Sequence, residues 1–296
     1  MGNKTHKPIN AGEGAQNADP EWERRSLPLG NGSIGCNVMG SVATERYTLN
    51  AKTLWRGGPN TAKGPADYWN QNKQSAHLLP EIRQACADGY FDKAGRLTSQ
   101  NFNSPVPYES WREPQFRLGS FTTLGELTFE TDINEKGIRN YRRALSVDSA
   151  YATVSFTTAE GIGYERRTFV SYPANMLVTR FTATEKGKQN FTLKYAPNPL
   201  GEGNFAADGE NGILYTARLD NNQMEYAVRI HVIAKKGTVQ YADGAIKVTG
   251  ADEVMVLLTA DTDYKPNYNP DFNDPKAYVG VDPKATTAQW MKAAAK

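Results

Sequence analysis

Six residues near the N-terminus, Gly30-Asn31-Gly32-Ser33-Ile34-Gly35, have the spacing of a loop that could hold a diphosphate. Such a loop needs a buried strand before it and a helix after it, so that the phosphate rests on the helix N-terminus. Here Pro28 interrupts the preceding run and Gly40 breaks the following one, while Ile34, Cys36 and Val38 alternate as a strand would. The stretch therefore reads as a tight backbone turn in which Gly30, Gly32 and Gly35 let another segment or a ligand come close. Acid–base hydrolysis would need two carboxylates facing across one bond. Glu126, Glu130, Glu165 and Asp220 all stand in strand or turn patterns that read as surface charge, and no catalytic residue is nominated. His6, His77 and His231 lie in separate segments without a second ligand at helical or hairpin spacing, so neither a metal nor another cofactor is expected. Cys36 and Cys86 form no CxxC; they read as small buried apolar residues, with pairing left open in an oxidising compartment. Trp22, Trp55, Trp69, Trp111 and Trp290, together with 15 tyrosines, could stack on sugar rings or fill a core.

The elements that must carry these residues are strands. Ala152, Val154 and Phe156 alternate with Thr153 and Ser155; Phe191, Leu193 and Tyr195 do so with Thr192 and Lys194. Tyr226, Val228, Ile230 and Val232 run through a longer strand with Arg229 and His231 on its other face, and Val254–Leu258 is apolar on both faces. A period of two in β-branched and aromatic residues marks half-buried strands, and an unbroken apolar run marks a strand covered on both sides. Asp208-Gly209, Asn211-Gly212 and Asp243-Gly244 supply turn residues between them. The pattern predicts an all-β chain, a large antiparallel β-sandwich, over residues 20–264. One insertion at about 75–100 is helical: Leu78, Leu79, Ile82, Cys86 and Tyr90 recur at helical spacing, Pro80 suits a first turn, and Gly89 ends or kinks the helix. Residues 1–19 read as a disordered tail, and 265–296 as a Pro- and Asn-rich linker running into a helix from Pro283 that leads to a domain beyond.

Composition narrows the function. The 296 residues carry 34 Lys plus Arg against 32 Asp plus Glu, with no concentrated basic face, so no nucleic-acid partner is expected. No stretch nears the roughly 20 apolar residues of a membrane helix, and the N-terminus has no apolar signal region.

Trp22, Leu27-Pro28-Leu29-Gly30-Asn31-Gly32 with Ile34-Gly35, Leu49-Asn50, Thr53-Leu54-Trp55 and Gly57-Gly58-Pro59 together resemble the N-terminal region of glycoside hydrolase family 95. Leu124-Gly125-Glu126-Leu127, Tyr141-Arg142-Arg143-Ala144-Leu145, Tyr164-Glu165-Arg166 with Phe169-Val170-Ser171, and the block from Ala251 to Tyr264 follow in the same order. Ala51-Lys52 and Arg56 depart from that family's pattern, which has acidic residues after Asn50 and a small residue after Trp55. The resemblance implies a β-supersandwich, with the acid and base carboxylates on a helical-toroid domain outside this chain. The implied role is the non-catalytic N-terminal domain of an inverting exo-glycosidase, most simply an α-L-fucosidase. Its partners would be its own catalytic domain and fucosylated or related glycans; export from the cell follows by the same analogy. Asn31, Asn50, Trp55 and Arg56 become the candidates for substrate or interdomain contact, with Gly30, Gly32 and Gly35 as the backbone turn. The competing reading is a self-standing carbohydrate-binding module.

Overall fold

Alternation along each strand puts one set of side chains into a shared core and the other outward. The computed structural model describes residues 25–56, 73–102, 120–220, 222–269, 274 and 276–294. The tail 1–19, Trp22, Gly57-Gly58-Pro59, Trp69 and Trp111 lie outside the described residues.

Two large antiparallel sheets face each other. The first holds seven strands: β1 (Leu27–Gly30), β2 (Ile34–Val38), β3 (Thr44–Ala51), β6 (Gly125–Thr131), β11 (Gln189–Pro197), β16 (Ala245–Ala251) and β15 (Thr238–Ala242), in that order across the sheet. The second holds eight, in the order β12 (Gly201–Ala207), β13 (Gly212–Leu219), β14 (Glu225–Lys235), β17 (Glu253–Thr262), β10 (Met176–Ala183), β9 (Gly163–Ser171), β8 (Tyr151–Thr157) and β7 (Arg139–Ser146). A short ribbon, β4 (Trp55–Arg56) with β5 (Ser120–Phe121), stands apart. Ala152, Val154 and Phe156, Phe191, Leu193 and Tyr195, and Tyr226, Val228, Ile230 and Val232 all enter one core cluster, as their spacing predicts. Phe129, Phe181 and Phe191 meet at its centre, with ring centroids 4.9–5.8 Å apart.

The helical insertion is two helices rather than one. A short 3₁₀ turn (Lys73–Leu78) leads into α1 (Leu79–Ala87), with Pro80 in its first turn; Gly89, at φ +79°, ends it, and α2 (Phe91–Asn101) follows. The predicted apolar stripe is not what packs: Ala85 and Ala94 are the buried side chains, whereas Leu79, Cys86 and Tyr90 are exposed. Small residues let the two helix backbones approach, so the bulkier side chains point outward. Cys36 is buried in the sandwich and Cys86 is exposed, and both are free thiols, which corrects the expectation that both are buried.

The helix expected from Pro283 is present as α3 (Pro283–Ala294). It lies on the outer face of the second sheet over β14 and β17, burying Pro283, Thr287 and Met291, with Met291 packed on Met176 and Leu257. This explains why Val254–Leu258 is apolar on both faces. Among the described residues no helix is long and apolar enough to cross a membrane.

One turn between β2 and β3 is buried: Met39, Gly40, Ser41 and Val42 all lack solvent contact. Their polar backbone groups therefore need partners inside the protein. Arg166 of β9 donates to the carbonyls of Ser41 and Val42 and pairs with the Glu45 carboxylate at 3.2 Å. Glu45 also accepts the Gly40 and Arg46 amides, at 2.8 and 3.1 Å. Tyr141 and Arg143 of β7 donate to the Gly40 and Met39 carbonyls, each at 2.6 Å. Burial pushes the Glu45 carboxyl up from its ordinary value, against the pull of Arg166 and the two amides. Removing one partner of such a pair leaves the other charge uncompensated in a dry site. Arg166→Met is expected to cost about 3–5 kcal/mol in urea unfolding, and adding Glu45→Gln should restore part of that loss.

A second electrostatic tie holds the start of α3. Arg229 pairs with Asp208 and reaches the Lys284 carbonyl at 3.4 Å, while His231 meets Asp208 at 2.5 Å. Burial alone would raise the Asp208 pKa, but hydrogen bonds and charge from Arg229 and His231 outweigh it and hold the carboxyl below its usual value. A depressed carboxylate pKa stabilises the fold above the unfolded-state value, and that contribution vanishes as pH falls through the folded-state value. Asp208→Asn should therefore lower stability at neutral pH, and the gap from wild type, followed by urea titration, should close as pH drops below about 4.

Candidate functional site

The β1–β2 turn, the β3–β4 connection, the β9–β10 turn and the β13–β14 turn all fall at one end of the sandwich, because antiparallel pairing returns each of these strands to it. The GxGxxG stretch is a hairpin turn. Gly30 pairs with Gly35 across it, and Gly32 takes φ +88° at its tip, a conformation that favours glycine. No helix follows it, so the stretch has nothing on which a diphosphate would sit.

Asn31 uses its whole amide within the protein. Its oxygen accepts the Ser33 and Ile34 amides at 2.9 and 2.8 Å, and its nitrogen donates to the Ser171 carbonyl and the Asn175 side chain, both at 2.9 Å. A side-chain amide offers two donors and two acceptor lone pairs, so Asn31 is a tie between the sheets rather than an open ligand contact. Asn175 passes the tie inward, its carbonyl accepting the Thr259 hydroxyl at 2.8 Å.

Asn50 is different. It stands opposite Gly35 on the paired strand, and its side chain makes no hydrogen bond among the described residues. A Cβ on Gly35 would lie 2.3 Å from the Asn50 amide oxygen, so Gly35 is the residue that lets Asn50 adopt this position. Lys52 then bonds back to the Ser33 carbonyl at 2.8 Å, closing the two predicted loops onto each other.

Trp55 sits on this end with 44% of its surface exposed. Its indole N–H donates to the Lys52 carbonyl at 2.9 Å, and its own carbonyl accepts the Asn222 amide at 2.6 Å. Phe121, across the β4–β5 ribbon, meets the indole edge-to-face at 5.9 Å and is also exposed. The pair forms an aromatic ledge on the same end of the sandwich as Asn50. Arg56 points the other way: it is buried and lies 3.4 Å from Asp220 on the β13–β14 turn. Thr53 and Thr262 join their hydroxyls at 2.6 Å behind it. Arg56 thus fastens the ribbon to the second sheet, whereas Trp55 and Asn50 face outward. Phe121, Asp220 and Asn222 belong to this cluster but come from distant strands; no spacing in the sequence links them to Trp55.

The acids noted in the sequence each lie beside a cation. Glu126 is 3.7 Å from Arg46, Glu130 is 2.7 Å from Lys194, Glu165 is 3.2 Å from Arg167, and Asp220 faces Arg56. Burial raises the Glu126 pKa against the pull of Arg46. Among the described residues no three His, Cys, Asp or Glu side chains converge as a metal ion would need. This end offers an aromatic ledge and a polar amide. Those groups can stack on and hydrogen-bond a sugar, or pack against another domain.

The family match names the kind of domain. The family described as "Glycosyl hydrolase family 65, N-terminal domain" matches residues 10–267. Among curated proteins, the chain is 31% identical over 251 residues to "Probable alpha-fucosidase A" of Aspergillus niger, covering 81% of this chain and 29% of that protein. It is 26% identical over 172 residues to "Alpha-L-fucosidase 2" of Arabidopsis thaliana, covering 57% of this chain and 18% of that one. The chain thus spans less than a third of the length of these relatives. A solved structure titled "Putative kojibiose phosphorylase from human microbiome" superposes on 94% of this chain and 34% of its own at a TM-score of 0.48 and 10% identity.

If Gly35 exists to accommodate Asn50, the two positions are coupled. Gly35→Ala should lower the melting temperature, and Asn50→Ala in the same chain should return part of it, a coupling of about 0.5–3 kcal/mol in a double-mutant cycle.

Proposed function

Because the chain belongs to the glycosyl hydrolase family 65 N-terminal domain family, we propose that it is the non-catalytic β-sandwich domain of a glycoside hydrolase, an inverting α-L-fucosidase of the glycoside hydrolase family 95 type. In this reading the Asn50–Trp55 end packs on a helical catalytic domain and forms one wall of its site. The parent enzyme acts on fucosylated or related glycans outside the cytoplasm, and the acid and base lie on that second domain.

The observation that carries the reading is the pairing of the acids. An inverting site holds a protonated carboxyl and a carboxylate roughly 6.5–9.5 Å apart, with room for water between them. Glu126, Glu130, Glu165 and Asp220 instead each have an arginine or lysine, rather than a second acid, as their charged neighbour. Two fucosidase-named relatives that extend far beyond the matched region support the rest. The exposed Trp55–Phe121 ledge also favours a second reading, a module that binds glycans by itself.

The test compares the 296-residue chain with its full-length parent on an aryl α-L-fucoside at equal concentration. Turnover is expected from the parent alone. Turnover by the chain that survives repurification and is lost in Glu126→Gln would overturn the proposal. Calorimetric titration of the chain with fucosylated oligosaccharides separates the two readings, since saturable binding that is lost in Trp55→Ala marks a self-sufficient module.

A further inference from the structure

The outer face of the second sheet is only partly occupied. Helix α3 crosses β14 and β17, and beside it the outer faces of β7, β8 and β9 form a concavity of about 420 Å³. That size falls within the range of small-molecule sites. Its floor is built by register: Arg142 stands opposite Ser155, Ser155 opposite Glu165, and Thr153 opposite Arg167. Tyr151 completes it, with the Arg167 guanidinium 4.8 Å above its ring.

A β-bulge decides which way the arginines of β7 point. Between Arg139 and Arg142 the edge strand holds one extra residue, and Asn140 takes φ +54° there. The extra residue shifts the alternation of the strand. Arg143 accordingly reaches inward to the Met39 carbonyl, while Arg142 lies on the concave outer face, exposed and without an ion pair among the described residues.

We propose that this concavity binds an acidic saccharide, one whose sugar carboxylate is held by Arg142 and Arg167 and whose hydroxyls are held by Thr153, Ser155 and Glu165. Charge complementarity selects this occupant. Arg142 offers a whole guanidinium fork to a planar carboxylate, and Arg167, which gives one N–H to Glu165 at 3.2 Å, offers its remaining donors. The Glu165 charge disfavours a doubly charged anion such as phosphate more than a singly charged carboxylate. The stack of Arg167 on Tyr151 holds one fork in place before the ligand arrives. The choice of a saccharide rests on the glycoside hydrolase reading, but the site is on a face separate from the Asn50–Trp55 end and needs no catalytic domain.

The experiment is a calorimetric titration of the 296-residue chain with trigalacturonate, with neutral trigalactose and with inorganic phosphate as separate arms. Trigalacturonate is expected to bind saturably and to weaken as salt is raised, with trigalactose at least ten-fold weaker. Arg142→Gln/Arg167→Gln should lose at least ten-fold in affinity while its melting curve stays near wild type, both residues being exposed. The proposal falls if trigalacturonate fails to saturate, if the double variant binds it as well as wild type, if trigalactose binds equally, or if phosphate binds as tightly as trigalacturonate. None of these outcomes depends on whether the parent hydrolyses fucosides, so failure here and failure of the proposed function are told apart.

Discussion

A buried ion pair between the sheets sets the rest of the structure. Glu45 on β3 and Arg166 on β9 meet with both side chains buried, and the Arg166 guanidinium also donates to two carbonyls of the β2–β3 turn. A buried turn would otherwise leave several backbone groups unsatisfied, each costly in a medium of low polarity. Arg166 further lies within 6 Å of the Phe156 and Phe181 ring centres, so its charge is wedged among the aromatics of the core. Such a cluster is a poor source of net stability compared with apolar packing, but it permits few alternative registers. A slip of β3 or β9 by one residue would turn Glu45 or Arg166 to the opposite face.

At the far end the sheets are joined differently. Asn31 spans from the first sheet to the β9–β10 turn with two hydrogen bonds, while two more hold it to its own turn, and Arg56 fastens the β4–β5 ribbon to the β13–β14 turn. These ties spend the polar groups of Asn31 and the charge of Arg56 on structure, and they hold the Asn50–Trp55 surface rigid. A surface fixed in this way is suited to meeting another folded domain or a sugar ring without a large ordering cost. The same logic separates the candidates: Asn31 and Arg56 spend their polar groups internally, whereas Asn50 keeps its amide and Trp55 presents an exposed ring.

The two faces of the second sheet follow from one irregularity on its edge. The bulge in β7 sends Arg143 inward to the buried turn and leaves Arg142 outside over Ser155. Edge strands commonly carry such features because an unbroken edge invites pairing with another chain. Here the bulge also divides two adjacent arginines between a structural role and an open surface.

Local chemistry in the sequence was enough to determine β2, β8, β11, β14 and β17 and the inward faces of the alternating ones, whereas Asn31, Asn50 and Trp55 stood out only through the family resemblance. Alternation in β8, β11 and β14 needs no partner to be read, since each pleat puts successive side chains on opposite sides. The helical break at Gly89 and the helix from Pro283 were legible for the same reason. What the helices pack on was not: Ala85 and Ala94, rather than the larger apolar residues, meet between α1 and α2, because contact between helices depends on how closely their backbones approach. Only the tertiary structure revealed that Asn31 and Arg56 are ties, that Phe121 and Asn222 join Trp55, and that Arg166 holds Glu45 across 121 residues of chain. Those pairings are set by strand order and register across two sheets, and pairing between strands distant in sequence leaves no periodic trace in either one.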